Sequence, residues 1–408
     1  MTTRLLQSDI NISHRPAVSN RSASVRRSAI RDLLARARMP GMLSLAGGLP
    51  EQSTFPRELL SASAVRLLQT GAVLQYSTTE GDEGLRQHIA EYESERQGRS
   101  VDPDDVVVTT GSQQALAMLA AIVGDPGDMI AVPHPCYLGA LQTFQAAGLR
   151  THAVDIVDGQ LDVDGLEADL RAGAPIKALY VVANHGNPDG SRLDDAANRR
   201  LAALAEMWGF WIIEDDPYRE LWFDTPPALS VAAHTSNAIA LGSFSKSVAP
   251  GLRVGWLVAG GAAHAAVVRS KQSLDLHTSS LSQALIADLL DNNGWFAAHT
   301  EQLRSMYASR CDALVDALRT TFGERVRFTP PSGGMFAWAQ LHDVDTDALL
   351  PAALEEGVCF VPGVEFEVSG SLANWLRLSY ATVDEANLAV AVRRLAAAVD
   401  RQDASLPV

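Results

Sequence analysis

The stretch IALGSFSKSVAPGLRVGW, Ile239–Trp256, holds a short apolar run, a turn of small residues around one lysine, and an arginine opening a second apolar run. Ile239–Leu241 and Arg253–Val258 both read as strands. Between them, Lys246 has no acidic residue within six positions. A lysine among small and apolar residues, with a second cation at Arg253, is expected to hold its proton weakly and to act as an amine nucleophile. The plainer reading is a solvated surface lysine. Arg253 has the forked donor geometry that suits a phosphate.

Outward from this stretch the same alternation continues. Short β-branched runs recur at Val106–Thr109, Met129–Val132, Thr151–Ile156, Ala178–Val182 and Trp211–Glu214. Helical patterns lie between several of them, as at Gln113–Val123 and Ala196–Trp208. Strands separated by helices predict an α/β fold with a mostly parallel, seven-stranded sheet covered by helices. The last hundred or so residues differ. A helical pattern at Leu303–Leu318 meets the break FTPPSGGMFAW, alternating segments come next, and Ala386–Val399 reads as a closing helix. This predicts a smaller α+β domain. The chain is thus divided into an N-terminal arm (1–21), an N-terminal part of the small domain (22–60) with a helix at Ser28–Ala37, a large domain (61–304) and the C-terminal small domain (305–408).

Ligands of open α/β sheets sit beyond the carboxyl ends of the strands, so the residues just past each strand matter most. After Val106–Thr109 comes Thr110-Gly111-Ser112-Gln113, where Ser112 is either an ordinary helix cap or part of a phosphate site at a helix N-terminus. Tyr137 comes after Met129–Val132 as a packing aromatic or a ring that stacks on a planar ligand. Asn187 opens the turn Asn187-Pro188-Asp189-Gly190 after Ala178–Val182, where its amide could also donate to a ligand. Glu214-Asp215-Asp216-Pro217-Tyr218 abuts the apolar run Trp211–Ile213. It is either a capped turn or a carboxylate held against a buried cationic nitrogen.

Composition narrows the function. Of 408 residues, 47% are apolar and 20% charged, which excludes a largely disordered chain. No apolar run reaches the ~18 residues of a membrane span. Acidic residues outnumber basic ones by 48 to 33, a net charge of −15, opposite in sign to that of a typical nucleic-acid binder. Cys136, Cys311 and Cys359 are far apart and form no CxxC, so neither disulfides nor a metal site is expected, and the cytoplasm is the expected compartment.

The motifs together resemble one family. SFSKSVAPGLRVGW, with EDDPYREL, NPDG and GSQQAL upstream in that order, is similar to class I/II aminotransferases, fold-type I enzymes that use pyridoxal 5′-phosphate. SAIRDLL, SLAGGLP and QYSTTEGDEGLR in the first hundred residues resemble the 2-aminoadipate and kynurenine aminotransferase subgroup. The resemblance runs from about Ser22 to the C-terminus. It implies that Lys246 forms the Schiff base and shuttles the proton. It implies that Asp215 pairs with the ring nitrogen, that Tyr218 and Asn187 bond the ring hydroxyl, and that Tyr137 stacks on the ring. Ser112, Gln113, Ser243 and Arg253 would hold the phosphate, and Tyr76 would reach the phosphate of a partner subunit in a homodimer. Arg377, in WLRLSY, would clamp the substrate carboxylate, with the backbone of Gly48 approaching the substrate. Arg31 matches a residue that contacts the substrate side chain. One departure is NPDG where the family commonly has NPTG.

The resemblance implies exchange of an amino group between an L-amino acid and a 2-oxo acid. Two other readings share the motifs. One is elimination, carbon–carbon bond formation or oxidation on the same cofactor. The other is a sensor of the kind that fuses this fold to a DNA-binding helix module, which the acidity and the short segment ahead of Ser22 argue against. The substrate side chain is read as acidic through Arg31, or as aromatic or broad.

Overall fold

The structure, a computed structural model, describes Ser19, Leu33 and residues 39–405, with side chains through Gln402. Its strands are β1 (Leu43–Ser44), β2 (Val106–Thr109), β3 (Met129–His134), β4 (Arg150–Val157), β5 (Gln160–Leu161), β6 (Ile176–Val182), β7 (Trp211–Asp215), β8 (Ala238–Ser243), β9 (Gly255–Val258), β10 (Val326–Phe328), β11 (Phe336–Leu341), β12 (Val358–Cys359), β13 (Val361–Pro362) and β14 (Trp375–Ser379).

The main sheet has the order β2-β9-β8-β7-β6-β3-β4-β5. Its centre is parallel: β8 on β7, β7 on β6, β6 on β3 and β3 on β4. β6, β7 and β8 are buried on both faces, which is why runs such as Ile176–Val182 read as continuous apolar segments rather than alternating ones. Two expectations are corrected. An eighth strand, β5, folds back on β4 through Asp158-Gly159, both at positive φ (51° and 76°); that pair is a hairpin turn signal. The strand expected at Arg253–Val258 begins at Gly255, because Arg253 takes a left-handed conformation (φ 56°). β9 runs antiparallel to both β8 and β2.

The helices that cover the sheet carry their own start and stop signals. Asp195–Trp208 begins at Asp194, whose carboxylate accepts from the Ala197 N–H at 2.7 Å, and ends at Gly209 with φ 72°. It buries Leu201, Leu204 and Ala205 against the sheet. The C-terminal part holds the antiparallel sheet β10-β11-β14-β13 and the small parallel pair β1–β12. The closing helix runs Glu385–Ser405, and a 28-residue helix, Trp295–Phe322, passes through the point where the sequence was divided at 304–305. The expected helix Ser28–Ala37 lies outside the described residues except for Leu33, which is helical and buried with Trp338, Val361 and Phe366.

Among the described residues, no helix is long and apolar enough to cross a membrane. The three cysteines are free and buried.

Candidate active site

The carboxyl ends of β2, β3, β6, β7 and β8 open on one cavity of about 560 Å³. Gly48, Ser112, Gln113, Tyr137, Asn187, Asp215, Tyr218, Ser243, Lys246, Arg253 and Arg377 all line it. Its ionic lining is three cations, Lys246, Arg253 and Arg377, against one acid, Asp215. In a chain of net charge −15, that local excess favours an anionic ligand.

One end of the cavity is built on close backbone approaches. The helix Ser112–Ile122 starts here; Gly111, not Ser112, is its N-cap, and no side chain caps it. Ser112 is therefore corrected from cap to first helical residue, with the helix's open N–H groups facing the site. A Cβ on Gly111 would stand 2.4 Å from Arg253 Nη2, and one on Gly255 would stand 2.8 Å from the Ser112 nitrogen. Glycine at both positions lets the guanidinium and the helix start share one small space. Arg253 holds only long contacts, 3.4 Å each to the carbonyls of Pro250 and Thr110. Ser243 Oγ lies 2.8 Å from Ser245 Oγ. The Gln113 amide is turned away, donating to Thr143 Oγ1 at 2.7 Å.

Lys246 Nζ donates to the Gly48 carbonyl at 2.7 Å. Burial, then the positive charges of Arg377 and Arg253, lower its pKa to about 8. Asp215 Oδ2 accepts from Tyr180 Oη at 3.0 Å, while Oδ1 is buried and, among the described residues, has no hydrogen-bond partner. Burial raises the carboxyl to about 7, with Asp216 adding to the shift and the Tyr180 bond opposing it. An orphaned carboxylate oxygen in a closed site is costly unless a donor arrives. Tyr137 folds over Gly139, where a Cβ would stand 2.5 Å from the ring. Tyr218 is buried edge-on to Phe336, with ring centroids 5.8 Å apart, and burial pushes its phenol upward.

Arg377 closes the other end. Nη1 donates to Asn187 Oδ1 and Nη2 to the Ala46 carbonyl, both at 2.6 Å, and Nε has no partner among the described residues. The guanidinium lies 4.2 Å from the centroid of Phe336. It is 2% exposed and, among the described residues, pairs with no carboxylate. Burial lowers its pKa to about 10.

Two expected site residues are not in this assembly. Tyr76 is 79% exposed, its ring edge-on to His277, and does not line the cavity. Arg31 lies outside the described residues.

A family model for aminotransferases of class I and II matches residues 41–395. The chain belongs to this family. A 2-aminoadipate transaminase of Thermus thermophilus is 40% identical over 92% of this chain and 94% of its own. The crystal structure of a kynurenine aminotransferase from Pyrococcus horikoshii, in complex with PMP, matches with a TM-score of 0.89 at 33% identity, over 94% of this chain and 97% of the other. A protein from Escherichia coli named as an uncharacterized HTH-type transcriptional regulator is 31% identical over 86% of this chain and 75% of its own.

In this aminotransferase the strand-end residues are the legible part of the site. Tyr180 and Phe336 escape a reading by strand ends. Tyr180 sits mid-strand in an apolar run, two residues before Val182, and that period of two places both on the cavity face. Phe336 opens β11, far along the chain from everything it touches.

Proposed function

We propose that pyridoxal 5′-phosphate occupies this cavity, held by Lys246, and that the enzyme moves an amino group between an L-amino acid and a 2-oxo acid there. The supporting observation is the meeting, in one cavity, of a weakly basic buried amine with the free oxygen of a buried carboxylate. The rest of the lining fits the same group. The uncapped helix start, Ser243 and Arg253 suit its phosphate, Tyr137 suits a ring face, and Tyr218 and Asn187 suit a ring hydroxyl.

When bound, the cofactor supplies an aldehyde for the amino group and a ring that draws electrons from the substrate Cα. Asp215 Oδ1 holds the proton of the ring nitrogen in place. Its raised pKa in the free protein falls once a cationic partner arrives. Lys246 Nζ, partly unprotonated near neutral pH, is the base that would take the proton from the substrate Cα and relay it onward rather than back to Cα, as amino-group transfer requires. Arg377 receives the substrate carboxylate, which supplies the counter-charge its burial lacks. Gly48 offers a backbone face at the substrate. A Cβ there would stand 2.8 Å from the Phe336 ring.

We infer a cytoplasmic homodimer. Val65, Leu68, Leu74, Tyr76, Leu274 and Leu276 are all exposed. They belong to one region, where the helix Arg57–Thr70 packs on Ser280–Leu290 and Ser280 Oγ donates to the Gln75 carbonyl at 3.2 Å. Covered by a second copy, that apolar face would carry Tyr76 to the partner's phosphate. A net charge of −15 disfavours nucleic acid, while the three cations lining the cavity favour small acids as ligands. The substrate side chain is read as acidic or aromatic, with Arg31 as the residue to select it.

The test is borohydride reduction of the protein with pyridoxal 5′-phosphate, then peptide mass spectrometry. The adduct is expected on Lys246; an adduct elsewhere, or none, overturns the assignment. A panel of L-amino acids that converts the bound cofactor to its pyridoxamine form separates transamination from other outcomes on the same cofactor.

A further inference from the structure

Three acids in a row stand at the carboxyl end of β7, Glu214 and Asp215 within it and Asp216 just past it, all less than 6% exposed. The period of two along a strand sends Asp215 to one face and its two neighbours to the other. Asp215 meets the cavity and Tyr180. Glu214 and Asp216 meet Arg96, on the helix Glu83–Gln97, at 2.9 and 3.5 Å from Nη2. Arg96 is itself 2% exposed and does not line the cavity. Its Nη1 bonds Glu93 Oε1 at 3.0 Å and donates to the Leu241 carbonyl at 3.3 Å. Leu241 is the β8 residue in register with Asp215. The remaining partners are Arg219 and Asn184 on Asp216, Ser230 on Glu214, and Trp256 and Gln97 on Glu93. Three carboxylates thus face two guanidiniums behind the one carboxylate that faces the cavity.

We propose that Arg96 is a positioning residue for Asp215: it neutralises the acids behind β7 and ties β7 to β8, so that Asp215 keeps its negative charge at the cofactor's ring nitrogen. The inference rests on the reading of Asp215 as the ring partner. Besides Arg96 and its acids, the titratable groups facing Asp215 are the phenols of Tyr180, Tyr137 and Tyr218, with Lys246 across the cavity. None of these supplies a cation on the acids' side. Without Arg96 the cluster leaves a second uncompensated negative charge behind the carboxylate, and a proton in that field is held more tightly.

The experiment tracks the visible absorption of the holoenzyme with pH, since the bound cofactor changes colour as the nitrogen linking it to Lys246 loses its proton. Arg96→Met is expected to raise the midpoint by about one pH unit, and Asp216→Asn to lower it. Arg96→Lys should return it most of the way. The double variant Arg96→Met with Asp216→Asn, which rebalances the cluster, serves if the single change does not fold, and should sit near wild type. Loss of packing alone would not move the two single variants in opposite directions. Midpoints that do not move, or move the same way, overturn the inference. Asp215→Asn separates the two claims. If it leaves the midpoint unchanged, the ring-partner reading fails, and this inference with it. If it shifts the midpoint while the Arg96 and Asp216 variants do not, only the role of Arg96 fails.

Discussion

Arg377 and Arg96 are each 2% exposed, yet their surroundings are opposites. Arg96 lies among Glu93, Glu214 and Asp216. Burial by itself would lower its pKa, but those three carboxylates outweigh it and push it well above the usual value. Arg377 has a side-chain amide, a backbone carbonyl and two aromatic faces, and burial pulls it down to about 10. A buried cation whose counter-charges come from its own chain is finished as folded. One without them awaits a charge from outside. The same contrast divides the carboxylates. Glu214 and Asp216 pair with the Arg96 guanidinium, whereas Asp215 bonds the neutral Tyr180 and, among the described residues, has no cation at ion-pair distance. The site is therefore where the fold leaves its electrostatics incomplete.

The comparison implies that cavity residues cost activity and the residues behind them cost stability. The largest effect belongs to Lys246→Ala, which removes both the attachment point and the base. Turnover is expected to fall about 10³-fold or more in amino-group transfer assays, with the melting temperature little changed. Arg377→Met should lower kcat/KM by about 10²–10³-fold, mainly through KM, because a bidentate, charge-assisted contact is lost. Its melting temperature should stay within a few degrees of wild type, since an uncompensated buried charge goes with it. Arg96→Met should do the reverse in urea titration. It leaves Glu93 and Glu214 without a cation and Asp216 with Arg219 alone, and costs about 3–5 kcal/mol of folding stability. If Arg377→Met and Arg96→Met lose stability equally, the contrast between them is wrong.

How much of this is legible in the sequence depends on which signals are local. Strand and helix periods carry the parallel sheet, and the strand-end rule places Ser112, Tyr137, Asn187, Asp215, Ser243, Lys246 and Arg253 at one cavity. The hairpin at Asp158-Gly159 is also written locally, as a turn pair, although the strand pattern alone gives seven strands and misses it. The depressed lysine is foreseeable from Arg253, but its second cation, Arg377, comes from a distant strand. What cannot be read is pairing across the chain. Arg377 finds Asn187 across 190 positions, and Arg96 finds acids on a strand more than a hundred residues away. No period or motif encodes such contacts; they exist once the sheet brings the segments together.

A smaller effect sharpens the contrast through pH. In the cofactor-free protein the Asp215 carboxyl is raised from its ordinary 3.8 to about 7. Between those values the folded state binds more protons than the unfolded one, so stability falls as pH rises from about 4 to 7. Asp215→Asn should flatten that decline by about 1–3 kcal/mol in denaturant titrations across the window. Added pyridoxal 5′-phosphate should flatten it too, by giving the charged carboxylate its partner. A decline as steep in Asp215→Asn as in the wild type would place its origin elsewhere.

The smallest effect concerns the departure from the family's turn. Asp189 stands where threonine is common. Its Oδ1 accepts from Ser191 Oγ at 3.1 Å, and Oδ2 is shut from solvent without a partner. Burial raises the carboxyl to about 6, so the folded state again binds extra protons between about 4 and 6 and loses stability as pH rises through that range. Unlike Asp215, Asp189 does not line the main cavity; it lines a much smaller pocket of about 10 Å³. Asp189→Thr removes a buried charge while keeping a hydroxyl within the turn. It should therefore stabilise the protein by about 1 kcal/mol at pH 8 and by less at pH 5, with KM for the carboxylate substrate unchanged. A gain of equal size at both pH values would mean that packing, not charge, sets the difference. A change in KM would mean that the turn speaks to the site through Asn187 after all.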